Sequence, residues 1–357
     1  MVQPIWVVCK DPGGTNNALP VARELRSRNI PTQLIANGKA IEILGKLNEL
    51  FLAYDSAEEL VSDRGLPRLL ITSMCSGGGI GRDLVPLARD KVKTIALQDF
   101  WGARLWTDWA DAKFIPDYIC VNDEIGKQIV LDAWRAVSPA GIKVLGYPAL
   151  DKYANYDSAA ISAKTKTALG MIEQKPVILV GGQGAGTASM LTEIIAALNE
   201  IKKDCYVIPR PHPRTKDDFR DEMALWQTAL AQLKCGTPIF DFFGQTDTPS
   251  LIATADLIIS TFSTILVEAA ALRKPNISVL YPDNGMKQWD AAMDGKIKEF
   301  PLIELGCSAK ATNRHELISF IKSAFSGSLN LRQVQERHFR LDGKNAKHIA
   351  DFALSLL

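Results

Sequence analysis

Arg210, His212 and Arg214 are interleaved with prolines in Pro209-Arg210-Pro211-His212-Pro213-Arg214, directly after an apolar run. Guanidinium forks match phosphate oxygens, and an imidazole can donate a hydrogen bond to a departing phosphate. The prolines reduce the entropy lost in fixing these groups. Further on, Ser260-Thr261-Phe262-Ser263-Thr264 ends a second apolar run and opens a helical one. Hydroxyls and unpaired helix N–H groups hold an anion there without a metal, with Ser263 or Thr264 as the N-cap. Glu268, one turn into that helix, can accept from ribose hydroxyls. Without a ligand, the same pieces are a basic surface turn and an ordinary capped helix.

Two glycine-rich stretches also follow apolar runs. In Gly181-Gly182-Gln183-Gly184-Ala185-Gly186-Thr187 the glycines allow a diphosphate or an acceptor close to the backbone. In Asp11-Pro12-Gly13-Gly14-Thr15-Asn16-Asn17 they would do the same for a ligand, with Asp11 projecting a carboxylate into the same space. Asp11 is the first candidate for the base and Asp99 the second. Gly13, Gly14, Thr15, Asn16 and Trp101 are candidates for the acceptor side. The plain alternatives are a turn with Thr15 as helix cap, a loose connection, and Trp101 packed in a core. No GxGxxG, phosphate-loop lysine or GxSxG elbow occurs, which argues against a dehydrogenase, a P-loop NTPase and a serine hydrolase.

The elements that must position these residues alternate. Short unbroken apolar strands are expected at 5–9, 32–36, 50–54, 69–72, 94–97, 118–121 and 143–145, with helices between them, the first over 15–28. A Gly146-Tyr147-Pro148-Ala149-Leu150-Asp151 break and a Ser/Ala/Thr/Lys-rich stretch follow. The alternation then restarts at 176–180, with strands at 205–209, near 239, 257–259 and 276–280, and helices at 189–201, about 219–233 and 264–272. This pattern gives an α/β protein with parallel sheets covered on both faces. The expected domains are 1–150 and 151–340, with a last helix within 341–357.

The bulk numbers fit that picture. The 357 residues suit two domains, and 47% hydrophobic with 23% charged is ordinary for a globular chain. A net charge of +1 gives little support for nucleic-acid binding. Six cysteines without a CxxC pair suggest reduced, buried thiols in a cytoplasmic protein, and with only four histidines no metal site is expected. No apolar stretch approaches the roughly 20 residues that span a bilayer.

Together these residues resemble the GT-B glycosyltransferase superfamily. Ala255-Asp256-Leu257-Ile258-Ile259-Ser260 with Val267-Glu268-Ala269 and Leu272-Arg273-Lys274-Pro275 is similar to its donor-site strand, loop and helix, and Gly146-Tyr147-Pro148 with Asp151 to its interdomain linker. Asp342-Gly343-Lys344-Asn345-Ala346 resembles the tail of UDP-N-acetylglucosamine 2-epimerases and CDP-glycerol glycerophosphotransferases. His212-Pro213 and the 260–264 loop resemble motifs of bacterial sialyl- and Kdo-transferases. That resemblance implies that His212 assists the departing phosphate, that Ser263 and Thr264 bind it, and that Asp11 is the base. Those families carry an acidic–acidic–glycine element, whereas here one acidic residue precedes Pro12-Gly13-Gly14.

The resemblance implies two Rossmann-like domains facing across a cleft, 1–150 for the acceptor and 151–340 for the nucleotide-activated sugar, with the last helix at 341–357 crossing back onto the first domain. It also implies a metal-independent transfer of a sugar or alditol phosphate in polysaccharide biosynthesis. The nucleotide-activated sugar enters as substrate, with no cofactor, and the acceptor is a glycan, a lipid-linked or a small molecule. Peripheral membrane association and a homodimer stay open. So do two rivals: a nucleotide-sugar 2-epimerase or hydrolase of the same fold, which turns over without an acceptor, and a non-catalytic nucleotide-sugar-binding protein.

Overall fold

The computed structural model describes residues 3–357 except 76, 103–104, 136, 184–185, 213–214, 216–219, 242–243 and 245. The chain forms two compact units. The first comprises 1–154, 292–297 and 341–357, and the second 155–291 and 298–340.

The first unit holds a parallel sheet of β1 (Ile5–Cys9), β2 (Thr32–Ala36), β3 (Phe51–Ala53), β4 (Leu69–Ser73), β5 (Thr94–Leu97), β6 (Tyr118–Val121) and β7 (Ile142–Val144). Its order is β3-β2-β1-β4-β5-β6-β7. Every residue of β1 is buried. Ile5, Val7 and Cys9 enter one apolar cluster while Trp6 and Val8 enter another on the opposite face. An alternating strand covered on both sides reads as one continuous apolar run for this reason.

The second unit holds β8 (Val177–Gly181), β9 (Tyr206–Arg210), β10 (Thr237–Pro238), β11 (Leu257–Ser260), β12 (Asn276–Val279) and β13 (Ala309–Ala311). They are again parallel, in the order β10-β9-β8-β11-β12-β13. Each sheet reverses its winding once, between β1 and β4 and between β8 and β11. Open α/β sheets take ligands at the carboxyl ends of such strand pairs.

Five helices position the candidate residues: α1 (Pro12–Ser27), α2 (Thr187–Ile201), α3 (Arg220–Leu230), α4 (Thr264–Ala271) and α5 (Asn345–Leu354). The last of these packs in the first unit. Its Ala346, Ile349, Ala350 and Ala353 share a buried cluster with Ala18, Ala22 and Leu25 of α1, the small side chains letting the helices lie close. Ile297, from a segment remote in sequence, also belongs to this unit, and a Cβ on Gly102 would lie 2.4 Å from it.

The first helix begins earlier than the sequence suggested. It starts at Pro12, and its cap is Asp11, not Thr15. Asp11 has extended backbone angles, and its carboxylate accepts from Gly14 N at 2.8 Å. Proline suits the first helical position, where an N–H would be unpaired anyway and its fixed φ is already helical.

All six cysteines are free thiols, five of them buried. Among the described residues no helix is long and apolar enough to cross a membrane. Nor does any group of three or more His, Cys, Asp and Glu among them have metal-holding geometry.

Candidate functional site

In the first unit the site is built around the start of α1. Gly13 and Gly14 lie inside its first turn, and their role differs from the expected close approach of a ligand. A Cβ on Gly13 would fall 2.2 Å from Asp99 Oδ2. One on Gly14 would fall 2.5 Å from Ser73 Oγ and 2.6 Å from Cys75 Sγ. The glycines therefore admit the residues that follow β4 and β5, and Asp99 comes to rest against the helix start beside its Asp11 cap. Thr15 is fully buried and its hydroxyl donates to the Asp11 carbonyl at 2.7 Å, so it is a helix residue and not an acceptor contact. Asn16 is exposed.

Asp99 is the electrostatic focus. It is half-buried against the start of α1, and the desolvation there, reinforced by the nearby Asp11 charge, pushes its carboxyl up to about 7. The Tyr147 hydroxyl donates to Asp99 Oδ1 at 3.4 Å and works in the opposite direction. Asn122 Nδ2 donates to the Asp99 carbonyl at 3.2 Å and holds the loop after β5. Burial pushes the neighbouring Cys75 thiol far above its ordinary range, with Asp11 and Asp99 adding to the effect. It is a packing group and not a nucleophile.

Trp101 is not an acceptor platform. It is 3% exposed, and its indole N–H donates to Asp123 at 2.8 Å. Trp109 is fully buried, and Trp106 is half-buried. Trp101 thus follows the plainer of its two readings, core packing, as large apolar rings usually do.

In the second unit three strand tips converge. Gly181 pairs with Arg210 across β8 and β9, and Gly182 N donates to the Arg210 carbonyl at 2.8 Å. A Cβ on Gly182 would lie 2.9 Å from His212 N and 3.1 Å from Pro211 Cα, so this glycine lets the histidine turn fold over the end of β8. On the other side, a Cβ on Gly181 would meet Ile265 Cγ2, in the first turn of α4, at 2.8 Å. Arg210, Gly181 and Ser260 thus occupy neighbouring strands at one sheet edge, with Arg210 and Ser260 about 10 Å apart.

Within this edge the residues divide by exposure. Ser260 is fully buried and donates to the Gly181 carbonyl at 2.7 Å, which spends its hydroxyl on joining β8 to β11 and removes it from phosphate binding. Ser263 is the N-cap of α4, accepting from Ile265 N at 3.5 Å, and Thr264 is exposed at the first position of that helix. Arg210 and His212 are half-buried. Arg210 Nη1 donates to the Asp241 carbonyl at 3.2 Å, and desolvation lowers the guanidinium from its ordinary value against the pull of Asp241 and Asp247. Glu268 is half-buried, and its charge helps raise the Tyr156 phenol, after burial and the Asp247 charge. Arg214 lies outside the described residues.

The start of α2 differs from the expected diphosphate cradle. Glu222 of α3 reaches over, accepting from Gly186 N and from Ala188 N at 3.1 Å. An internal carboxylate occupies the N–H groups that a ligand anion would use. Sequence reasoning missed Glu222 because its partner N–H groups lie 36 and 34 residues away. Two polar atoms near the convergent edge, Gln183 Oε1 and Thr261 Oγ1, are buried without a hydrogen-bond partner among the described residues. Buried polar atoms are rarely left so, and a bound ligand would complete them.

Comparisons with known proteins fit this geometry. The family model described as CDP-Glycerol:Poly(glycerophosphate) glycerophosphotransferase matches residues 107–353. No curated protein matches. Among solved structures, UDP-GlcNAc 2-epimerase from Neisseria meningitidis bound to UDP-GlcNAc superposes with a TM-score of 0.70 at 14% identity, covering 99% of this chain and 100% of that one. A glycosyltransferase from Rickettsia africae gives 0.65 at 15% identity, covering 99% of each chain. The wall teichoic acid polymerase TagF with CDPG gives 0.61 at 15%, covering 99% of this chain and 88% of that one. These likenesses show the two-unit GT-B fold over the whole chain. Asp11 and Asp99 precede the stretch that the family model matches.

Proposed function

Since the chain belongs to the CDP-glycerol:poly(glycerophosphate) glycerophosphotransferase family, we propose that it transfers an alditol phosphate, in preference to a sugar, from a nucleotide-activated donor to an acceptor hydroxyl on a glycan, a lipid-linked or a small molecule. The observation that carries this reading is the convergence of Arg210, His212 and the capped start of α4 at the reversal point of the second sheet.

In this reading the donor's phosphates lie against Arg210 and His212. Ser263 and Thr264 add hydroxyls and the N-terminal field of α4. Glu268 accepts from the ribose. Asp99 is the base: a carboxyl titrating near 7 is matched to proton transfer at neutral pH. It takes the acceptor hydroxyl proton as that oxygen attacks the donor's distal phosphorus. The P–O bond to the nucleoside monophosphate breaks, the electron pair leaves with it, and Arg210 and His212 offset the departing charge. This assignment puts Asp99 ahead of Asp11, because Asp11 spends one oxygen on Gly14 N. Asp11 instead fixes the helix start and, by its own charge, keeps Asp99 readily protonated. Fixed cations and a helix start serve in place of a metal.

A thermal-shift series with CDP-glycerol, CMP, CDP, UDP, GDP and dTDP tests the donor, since binding raises apparent stability with affinity. CDP-glycerol and CMP should give the largest shifts. CMP release should then require an added poly(glycerophosphate) acceptor. Turnover without acceptor, or a response to UDP alone, would replace this reading with a hydrolase or epimerase.

A further inference from the structure

The 146–151 linker and the 342–346 tail, far apart in sequence, are locked together beside Asp99. Asp151 accepts from Asn345 N at 3.1 Å, from Ala346 N at 2.8 Å and from Asn345 Nδ2 at 2.7 Å. The same Asn345 amide donates to the Tyr147 carbonyl at 3.3 Å. Gly146 has φ +93°, and a Cβ there would lie 1.9 Å from Asn345 Oδ1, so the linker backbone is pressed against this side chain. The next residue along is Tyr147, whose hydroxyl ends on Asp99.

We propose that Asn345 and Tyr147 are positioning residues for the transfer step: the start of α5 fixes the linker so that the Tyr147 hydroxyl holds the Asp99 carboxylate in place. This rests on the reading of Asp99 as the base. It gives a role to the linker and tail motifs, both of which belong to the first unit. Among the described residues, the titratable groups facing Asp99 are Asp11 at the start of α1, Cys75 after β4 and Tyr147 on the linker. Of these, Tyr147 alone favours the ionised carboxylate, by donating to it.

The test is a ¹³C NMR titration of the Asp99 carboxyl in the full chain, the resonance being assigned by its loss in Asp99→Asn. It is paired with the pH profile of kcat/KM for CDP-glycerol and poly(glycerophosphate). Tyr147→Phe should raise the midpoint and the acidic limb by roughly half a pH unit, the size of a long hydrogen bond to a charged group. Asn345→Ala should move both in the same direction, and the double variant no further than Tyr147→Phe, because the two act through one contact. Tyr147→Phe removes a single oxygen, and Asn345→Ala keeps both backbone bonds to Asp151, so folding survives in each. A lowered Tm in Asn345→Ala with an unmoved titration would make its role merely structural and overturn the proposal, as would an unmoved midpoint in Tyr147→Phe. Retained turnover in Asp99→Asn would remove the base itself, and the proposal with it. Lost turnover there, combined with unmoved titrations in the other variants, would remove the proposal alone.

Discussion

The first strand of each unit, β1 or β8, leads to a glycine pair, and the two pairs do different work. Gly13 and Gly14 are already helical, and the space left by their missing side chains is filled by Asp99, Ser73 and Cys75. Gly181 and Gly182 finish a strand, and their space is filled by Ile265 and by the backbone at Pro211 and His212. The first arrangement gathers carboxylates at a helix start; the second brings a guanidinium and an imidazole over a strand end. A glycine pair thus marks a close approach between neighbouring strand tips, and the chemistry comes from whatever the adjacent tips deliver.

The sharpest way to break this comparison is Asp99→Asn. Turnover should fall by about 10²–10⁴-fold, the usual weight of a general base, with CDP-glycerol affinity by calorimetry unchanged. Equal loss of binding would put Asp99 on the donor side and erase the division between the units. Next in size is Arg210→Ala, which should weaken CDP-glycerol binding by roughly 10–100-fold as a charge-assisted phosphate contact is lost. Unchanged affinity would remove the second unit's anion site.

The same Asp99 variant has a stability signature. An unfolded aspartate titrates near 3.9, whereas the folded one is raised to about 7. Between those values the folded chain keeps a proton that the unfolded chain has lost, so this group's contribution weakens as pH rises from about 4 to 7 and stays lost above. Asp99→Asn should therefore be more stable than the parent at pH 8, by up to a few kcal/mol, and lose that advantage by pH 4. Denaturant melts at the two pH values check the sign.

The smallest effect sharpens the second half of the comparison. Glu222→Gln weakens the internal cap of α2 and should cost about 1–2 kcal/mol of stability in urea melts, leaving CDP-glycerol affinity intact. A gain in nucleotide affinity would mean that the start of α2 belongs to the donor site after all.

Much of the fold was legible because its signals are local. A strand buried on both faces needs an unbroken apolar run, and a helix start needs a cap, so β1, β8 and a cap at Ser263 or Thr264 could be placed from neighbouring residues. The misread details depend on partners elsewhere. Ser260 looked like a phosphate ligand until Gly181, 79 residues away, took its hydroxyl. Trp101 could be read as an acceptor contact or as core, and Asp123 with the surrounding core decided between them. Tyr147 stood inside a recognised motif, but only its contact with Asp99, 48 residues earlier, gave it a role.

By itself the sequence determined the βα alternation, the two parallel sheets and the segments at whose ends chemistry could sit, since periodicity and capping act over a few residues. Tertiary structure alone decided which polar groups keep their hydrogen bonds for a ligand and which spend them internally. It also decided that the Asp99 carboxyl holds its proton to near neutral pH. Burial and charge proximity are properties of three-dimensional neighbours, and the spacing of residues along the chain does not encode them.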